Sequence, residues 1–295
     1  MQQKIWTVVF LAAILAIAGC SDDDSVSGVD VGAEDASGLS DAGSDGGPQE
    51  SQDVDGGHTD ASGVDLSGRW VKFTAASALT DTIVGGEEES TTYSLLRVEM
   101  EQDGNELSLH SEVCAVDIVA ESDFAETILP DAFVNALEPT QRQGTFSQGV
   151  FELPRHYELR GVEFEDSEDP ETEPLPDEAD DPRVTDPDGD GNPGLTIFVD
   201  AGIVSGEIYV VQRGWDEFEG SLVDDDRIEG KLTWDDEQEI LGASDSALLI
   251  AEPTSRPNPD EESSHFAMVR LAESESDDCE SLIERSEADF SMDFR

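Results

Sequence analysis

Three carboxylates stand at alternate positions before a glycine in the stretch DPDGDGNPGLT: Asp186, Asp188 and Asp190, followed by Gly191. Calcium is a hard cation that takes about six to eight oxygen ligands, and a tight loop directs alternate side chains towards one centre. Glycine permits the sharp turn after the third carboxylate. The spacing predicts a structural calcium site formed by these three side chains and by Asn192, which would add its backbone carbonyl.

This stretch resembles the first half of the calcium loop of EF-hand proteins. The resemblance stops where Ile197 takes the place of the usual final glutamate, and at the flank, where residues 195–199 predict a strand instead of a helix. Looser loops of this kind complete the metal shell with a carboxylate from elsewhere, and Asp180, Asp181 and Asp200 are nearby in the sequence. The alternative interpretation is a plain Asp/Gly turn, which an aspartate-rich chain also produces by chance.

Residues 1–19 predict a bacterial signal peptide. Lys4 precedes an apolar run over residues 5–18, which is too short to span a membrane. The letters IAGC at residues 17–20 resemble the lipobox of bacterial lipoproteins. The resemblance implies cleavage before Cys20, lipidation of that cysteine and, because serine follows it, sorting to the outer membrane. The alternative is an ordinary secretory peptide with a chance cysteine.

The chain carries 71 acidic residues against 15 lysines and arginines, a formal net charge of −56. Nucleic acid and anionic lipid headgroups repel such a chain, so neither is expected to bind the protein. The expected membrane contact is therefore the lipid anchor. A protein or small-ligand partner stays open at this point.

Composition divides the chain after the signal. Residues 20–65 contain no lysine, arginine or aromatic residue and predict a disordered acidic tether. Residues 66–295 predict a single β domain, interrupted over 163–185 by a segment dense in acid and proline. That segment is interpreted as a solvated loop, or alternatively as a collector of cations beside the aspartates.

Apolar residues in the β domain recur with period two, as in RIEGKLTWDD at residues 227–236. Further strands are predicted at 155–164, 195–201, 206–213, 216–223, 246–251 and 264–271, and short helices at 130–137 and 280–286. The pattern predicts an all-β fold, an antiparallel meander that closes as a barrel or, alternatively, a β-sandwich. The opening GRW at residues 68–70, followed by up-and-down hairpins, is similar to lipocalin-like barrels.

Cys114 and Cys279 are the two cysteines left once Cys20 is lipidated. An exported protein lies in an oxidising compartment, so a disulfide between them is predicted. The alternative is two separate buried thiols.

No catalytic residues are predicted, because the four histidines are scattered and the common hydrolase and phosphate-loop motifs do not occur. The sequence favours a non-enzymatic lipoprotein with a calcium-stabilised β domain in a structural or binding role. A lipocalin-like carrier of a small apolar ligand is the alternative, and a hydrolase has only abundant carboxylates in its favour. Trp70, Trp215 and Trp234 are expected in the core or at a barrel end instead of forming a sugar-stacking platform.

Overall fold

The computed structural model describes residues 63–81, 87–121, 126–164, 170–200, 204–249, 255–292 and 294. The predicted signal peptide, Cys20 and all but the last three residues of the predicted tether lie outside the described residues. No helix within these ranges has both the length and the apolar character that a membrane crossing by a helix requires.

Strands dominate the described chain. They are β1 (Gly68–Asp81), β2 (Glu87–Asp103), β3 (Glu106–Ala120), β4 (Glu126–Ile128), β5 (Thr140–Ser147), β6 (Val150–Arg160), β7 (Leu195–Asp200), β8 (Ser205–Asp224), β9 (Arg227–Ala243), β10 (Ser255–Pro257) and β11 (His265–Arg270). The helices are α1 (Asp131–Asn135) and α2 (Cys279–Phe290), with a 3-10 helix at Ser246–Leu249. The all-β prediction with one or two short helices is confirmed.

Eight of the strands form a closed antiparallel ring in the order β1, β2, β3, β5, β6, β8, β9, β11, and β11 pairs back onto β1. Each strand in this ring pairs with the next ring strand along the chain, so the predicted meander that closes on itself is confirmed. The described strands belong to one continuous hydrogen-bonded sheet. Strands β4 and β7 extend the sheet beside β8, and β10 pairs with the end of β1.

Large apolar side chains fill much of the ring interior. Trp70, at 0% exposure, faces inward from β1 and donates its indole N–H to the Leu66 carbonyl at 2.9 Å. Phe151, Phe218 and Phe266 pack together from three strands, with ring centroids 5.1 to 5.9 Å apart. Burial of aromatic area on this scale is a main source of stability in a sheet protein.

Helix α2 covers the outer face of β1 and β2, where Phe73 stacks on Phe290 with centroids 5.2 Å apart. The helix begins after Asp278, whose carboxylate accepts the Ser281 N–H at 2.9 Å and so caps the first turn. The predicted disulfide is present: Cys114 on β3 is bonded to Cys279, the first residue of α2. It closes a loop between cysteines 165 residues apart.

Two predictions of strand boundaries are wrong. The sequence suggested two strands over 206–223, but β8 runs unbroken because Gly214 pairs with Glu158 on one side and Asp236 on the other. Hydrogen bonding to the neighbouring strands on both sides of β8 outweighs the tendency of glycine to interrupt a strand. The expected strand at 246–251 begins instead as a 3-10 helix, because Asp245 accepts the N–H groups of residues 247 and 248.

Candidate metal centre

The aspartate loop joins the end of β6 to the start of β7. Val162 bridges Val184, so the acidic segment between them leaves the sheet and returns to the same place. The Thr185 N–H then donates to the Gly161 carbonyl at 2.9 Å, and the Gly194 N–H donates to the Thr185 carbonyl at 2.8 Å. The loop of residues 186–193 is therefore closed at its base by backbone hydrogen bonds before β7 begins.

Gly194 allows this base to lie directly against β8. Its φ is +80°, and an added Cβ would lie 2.2 Å from the Val210 carbonyl oxygen. No other residue type fits this conformation and this contact without displacing the strand. The turn that the sequence indicated at residues 193–194 thus fixes the distance between the loop and the sheet.

Asp186 organises the backbone of the loop. One carboxylate oxygen accepts the Gly189 N–H at 2.9 Å and the other accepts the Gly191 N–H at 3.0 Å. Both glycines have positive φ, +71° and +88°, which bends the chain around the carboxylate. Short aspartate turns use side-chain acceptors in the same way, so these bonds are expected with or without a metal.

Asp188 and Asp190 are held by the first turn of β7. The Thr196 N–H donates to Asp188 Oδ2 at 2.9 Å, and the Thr196 hydroxyl donates to Asp190 Oδ2 at 2.6 Å. Asn192 adds its backbone N–H to Asp190 Oδ1 at 2.7 Å and its side-chain amide to Oδ2 at 2.9 Å. The sequence did not single out Thr196, although a hydroxyl six residues after the last aspartate at a strand start was a usable signal.

The three aspartates converge. One oxygen from each of Asp186, Asp188 and Asp190 lies within 4.8 Å of the others. Asp188 Oδ1 is buried and has no hydrogen-bond partner. A buried carboxylate oxygen without a donor is costly, and a hard cation is one partner that removes this cost. The donor set is all oxygen, which fits calcium and not a soft metal.

The surroundings shift the pKa values of Asp188 and Asp190 in opposite directions. Partial burial raises the pKa of Asp188, and the nearby Asp190 and Asp186 carboxylates raise it further, while the Thr196 N–H opposes them. Burial also acts to raise the pKa of Asp190, but donation from Thr196 and Asn192 outweighs it and lowers that pKa. The loop thus holds one carboxylate whose ionised form is disfavoured by its surroundings and would be favoured by a bound positive charge.

The carboxylates suggested as additional ligands lie apart from this cluster. Asp181 is paired with Arg183, whose hydrogen bonds lower the pKa of Asp181 to about 2. Asp200 lies at the far end of β7, where it accepts the Ser205 hydroxyl at 2.8 Å. Asp180 is exposed and does not belong to the cluster. Among the described residues the metal-binding group therefore has three acidic members.

The acidic segment packs against the sheet over its described part. Leu175 is buried against Val162 and Val211 on the outer face of β8. Arg183 bonds Glu173 at 2.7 Å, and Arg213 donates to the Pro170 carbonyl at 2.8 Å. The described part of the acidic segment is thus held to the sheet through Leu175 and Arg213, while residues 177–180 and 182 are exposed, and residues 165–169 lie outside the described part.

Charged side chains also occur inside the ring, and the sequence analysis did not identify them. Arg142 on β5 pairs with Asp216 on β8, and both side chains are 3% exposed. Glu158 and Arg160 on β6 form a second buried pair. Lys72 on β1 is 2% exposed. Their strand positions were the available signal. Lys72, Arg142 and Asp216 each lie an even number of residues from a buried aromatic residue on the same strand, and such residues share a face. The aromatic residues are Trp70, Phe146 and Phe218.

The tryptophans divide between the core and the surface. Trp70 and Trp234 are buried in the ring core, as predicted. Trp215 instead lies on the outer face of β8, where the Arg155 guanidinium stacks over its ring at 3.5 Å. The expectation of a core position is therefore wrong for Trp215.

No protein-family model, no curated protein and no solved structure matches this chain.

Proposed function

We propose that this chain is a bacterial lipoprotein, anchored in the outer membrane through a lipidated Cys20, that displays a calcium-stabilised β domain on residues 20–65. Its role is structural or binding, and the proposal assigns no catalytic residue. Calcium would bind Asp186, Asp188 and Asp190, with the Asn192 carbonyl as a further ligand.

The observation that carries the calcium proposal is the bare carboxylate oxygen of Asp188 within a cluster of three aspartates. Two of the three side chains are already held by Thr196, so binding requires little ordering. A preorganised site loses less conformational entropy when it binds its ligand. The affinity expected for an extracellular module is modest, with a dissociation constant of about 10⁻⁴ to 10⁻³ M.

Calcium should act on stability because the loop fixes the entry to β7. A ligand that binds only the folded state stabilises it by about 2.7 kcal/mol at a concentration of one hundred times the dissociation constant. We expect the melting temperature to rise with added calcium and to return after chelation. Differential scanning calorimetry of the domain measures both.

Three variants test where calcium binds. Asp188→Asn with Asp190→Asn should abolish the rise in melting temperature, whereas Asp177→Asn with Asp180→Asn removes the same charge from exposed neighbouring positions and should preserve it.

Asp188→Asn alone should raise the melting temperature of the calcium-free domain at neutral pH and abolish the calcium response. The native pKa of Asp188 is raised, so its ionised form destabilises the calcium-free fold and this cost disappears as pH falls through that pKa. An equal calcium response in the wild type and the double Asp188, Asp190 variant would refute the site.

The anchor has a separate test. In a bacterial host supplied with an alkyne-labelled fatty acid, the wild type should carry the label and fractionate with the outer membrane. Cys20→Ser should lose the label and leave the membrane fraction, while Cys114→Ser with Cys279→Ser should keep both properties. A labelled Cys20→Ser protein would contradict lipidation at that residue.

A carrier of a small apolar ligand is the second candidate, and the closed ring of strands is the observation that favours it. It has less support because aromatic side chains and buried ion pairs occupy much of the described interior. Saturable binding of one apolar fluorescent probe per chain would favour the carrier over the calcium-stabilised structural domain.

A further inference from the structure

Lys72 is one of three lysines in the chain, and it points into the ring. Its side chain shares the inner face of β1 with Trp70, and the residue is 2% exposed. Its pairing partners on the neighbouring strands, Leu96 and Met268, carry no charge. Moving an ammonium group out of water to such a position is costly unless a hydrogen-bond acceptor or a counter-charge compensates for the lost hydration.

Both carboxylates that act on Lys72 already have a cationic partner. Asp216 is bonded to Arg142, and Glu158 is bonded to Arg160. Burial lowers the pKa of Lys72 to about 8, because the Asp216 and Glu158 charges offset the burial only in part and Arg142 adds to it. These two ion pairs leave one positive charge in excess when Lys72 is protonated. A third carboxyl, Asp236, interacts with Arg160, but burial raises its pKa well above the usual range, and the excess holds while that carboxyl is protonated.

The ammonium group lies over an aromatic ring. Lys72 Nζ is 4.6 Å from the centroid of Phe218, and the Arg142 guanidinium carbon is 5.1 Å from the same centroid. Among the described residues, the Phe218 ring is the contact that the structure gives for this ammonium group. A ring face attracts a cation but does not replace a hydrogen-bond acceptor.

A second interior group also has no partner. Thr140, at 0% exposure, faces inward two residues before Arg142 on β5, and its hydroxyl makes no hydrogen bond to a described residue. Buried hydroxyl groups are normally bonded to protein or to ordered water. The interior therefore offers an ammonium and a hydroxyl as donors with no acceptor assigned to them.

The ring wall is interrupted beside these groups. Strands β5 and β6 pair over only three positions, and the pairing of β6 with β8 is irregular between Leu153 and His156. Pro154 has no N–H to continue a ladder, and its carbonyl instead accepts Arg142 Nη2 at 2.8 Å. A side chain, and not a continuous backbone ladder, closes the wall here.

We propose that the ring interior binds a small carboxylate ion at Lys72, beside the Phe218 ring that Arg142 also contacts, with the Thr140 hydroxyl as a second donor. A carboxylate matches the single excess positive charge, and its two oxygens match an ammonium and a hydroxyl donor. This site is independent of the proposed calcium loop and of the lipid anchor.

Titration with sodium acetate at constant ionic strength and constant calcium tests the site. Calorimetry should detect one bound acetate per chain, with a rise in melting temperature. Lys72→Met keeps the length of the side chain and removes the charge, so it should abolish acetate binding. Lys231→Met is the matched control, because the Lys231 side chain is 41% exposed and pairs with Glu261 at 3.4 Å, and this variant should bind acetate as the wild type does.

The pH dependence gives a readout that a purely structural lysine would not produce. Acetate affinity should be constant between about pH 6 and pH 7, where acetate is ionised and Lys72 is protonated, and fall about tenfold for each pH unit above the free pKa of Lys72. The Lys72 side-chain nuclear magnetic resonance signal should titrate at higher pH when acetate is saturating, and this measurement needs no variant. Thr140→Val should weaken acetate binding several-fold, and this second variant tests the site even if Lys72→Met does not fold. Absence of acetate binding, binding independent of pH or unchanged binding by Lys72→Met would overturn the proposal.

Discussion

Replacing Cys114 and Cys279 together by serine will lower the free energy of unfolding by about 5 kcal/mol. The bond joins cysteines 165 residues apart, and closing so long a loop removes much conformational freedom from the unfolded chain. Urea unfolding followed by tryptophan fluorescence, with Trp70 and Trp234 in the core, measures the difference.

The same variant separates the disulfide from the packing of helix α2. The contacts of Phe290 and Leu282 with the outer face of β1 and β2 remain after the double substitution, so the domain should keep its strand content by circular dichroism. Reductant should destabilise the wild type towards the stability of the variant and leave the variant unchanged. If reductant has no effect on the wild type, the two cysteines are separate thiols in solution.

The second large effect is expected inside the ring, where Arg142→Met will cost about 3 to 5 kcal/mol of unfolding free energy. The substitution leaves Asp216 as an uncompensated buried carboxylate, because both side chains of the pair are 3% exposed. It also removes the donor to the Pro154 carbonyl at the interruption between β5 and β6. Urea unfolding at neutral pH measures the loss.

A double-mutant cycle shows how much of this loss belongs to the pair. Arg142→Met with Asp216→Leu removes both charges and should recover most of the stability, since an apolar pair needs no solvation. Arg155→Met is the control at an exposed pair: Arg155 and Glu217 lie 3.8 Å apart with side chains about two-fifths exposed, and the expected cost stays below about 1 kcal/mol. Equal losses for the single and double interior variants would show that the pair contributes packing and not charge compensation.

Local sequence was sufficient for the parts of the fold that local rules govern. The period-two pattern of residues 227–236 reads directly as β9, with Ile228, Leu232 and Trp234 inward. Proline at residue 130 and Asp278 mark the starts of the two helices. The prediction was wrong for the unbroken strand β8, where hydrogen bonding to neighbouring strands outweighs the local sequence preference. The stabilisation that β8 gains from strands on both sides cannot be deduced from the sequence of β8 alone.

The candidate site shows the same division. The alternation of Asp186, Asp188 and Asp190 with glycines could be read as a converging loop, and the three side chains do converge. Thr196 was not singled out from the sequence, although its hydroxyl at a strand start was a usable signal, and its two hydrogen bonds form once the loop folds back on the start of β7. Asp181 was a reasonable ligand by proximity, but a salt bridge to Arg183 occupies it.

The sequence by itself determined the all-β class and the aspartate spacing, and it predicted Cys279 as the partner of Cys114, because periodicity, spacing and the number of cysteines are properties of the chain. Only the tertiary structure decided that the meander closes through β11 and β1, and that Lys72, Arg142 and Asp216 meet inside it. The physical reason is that closure depends on pairing between strands about two hundred residues apart, from Trp70 to Arg270. The compensation of a buried charge likewise depends on neighbours that no single stretch of sequence contains.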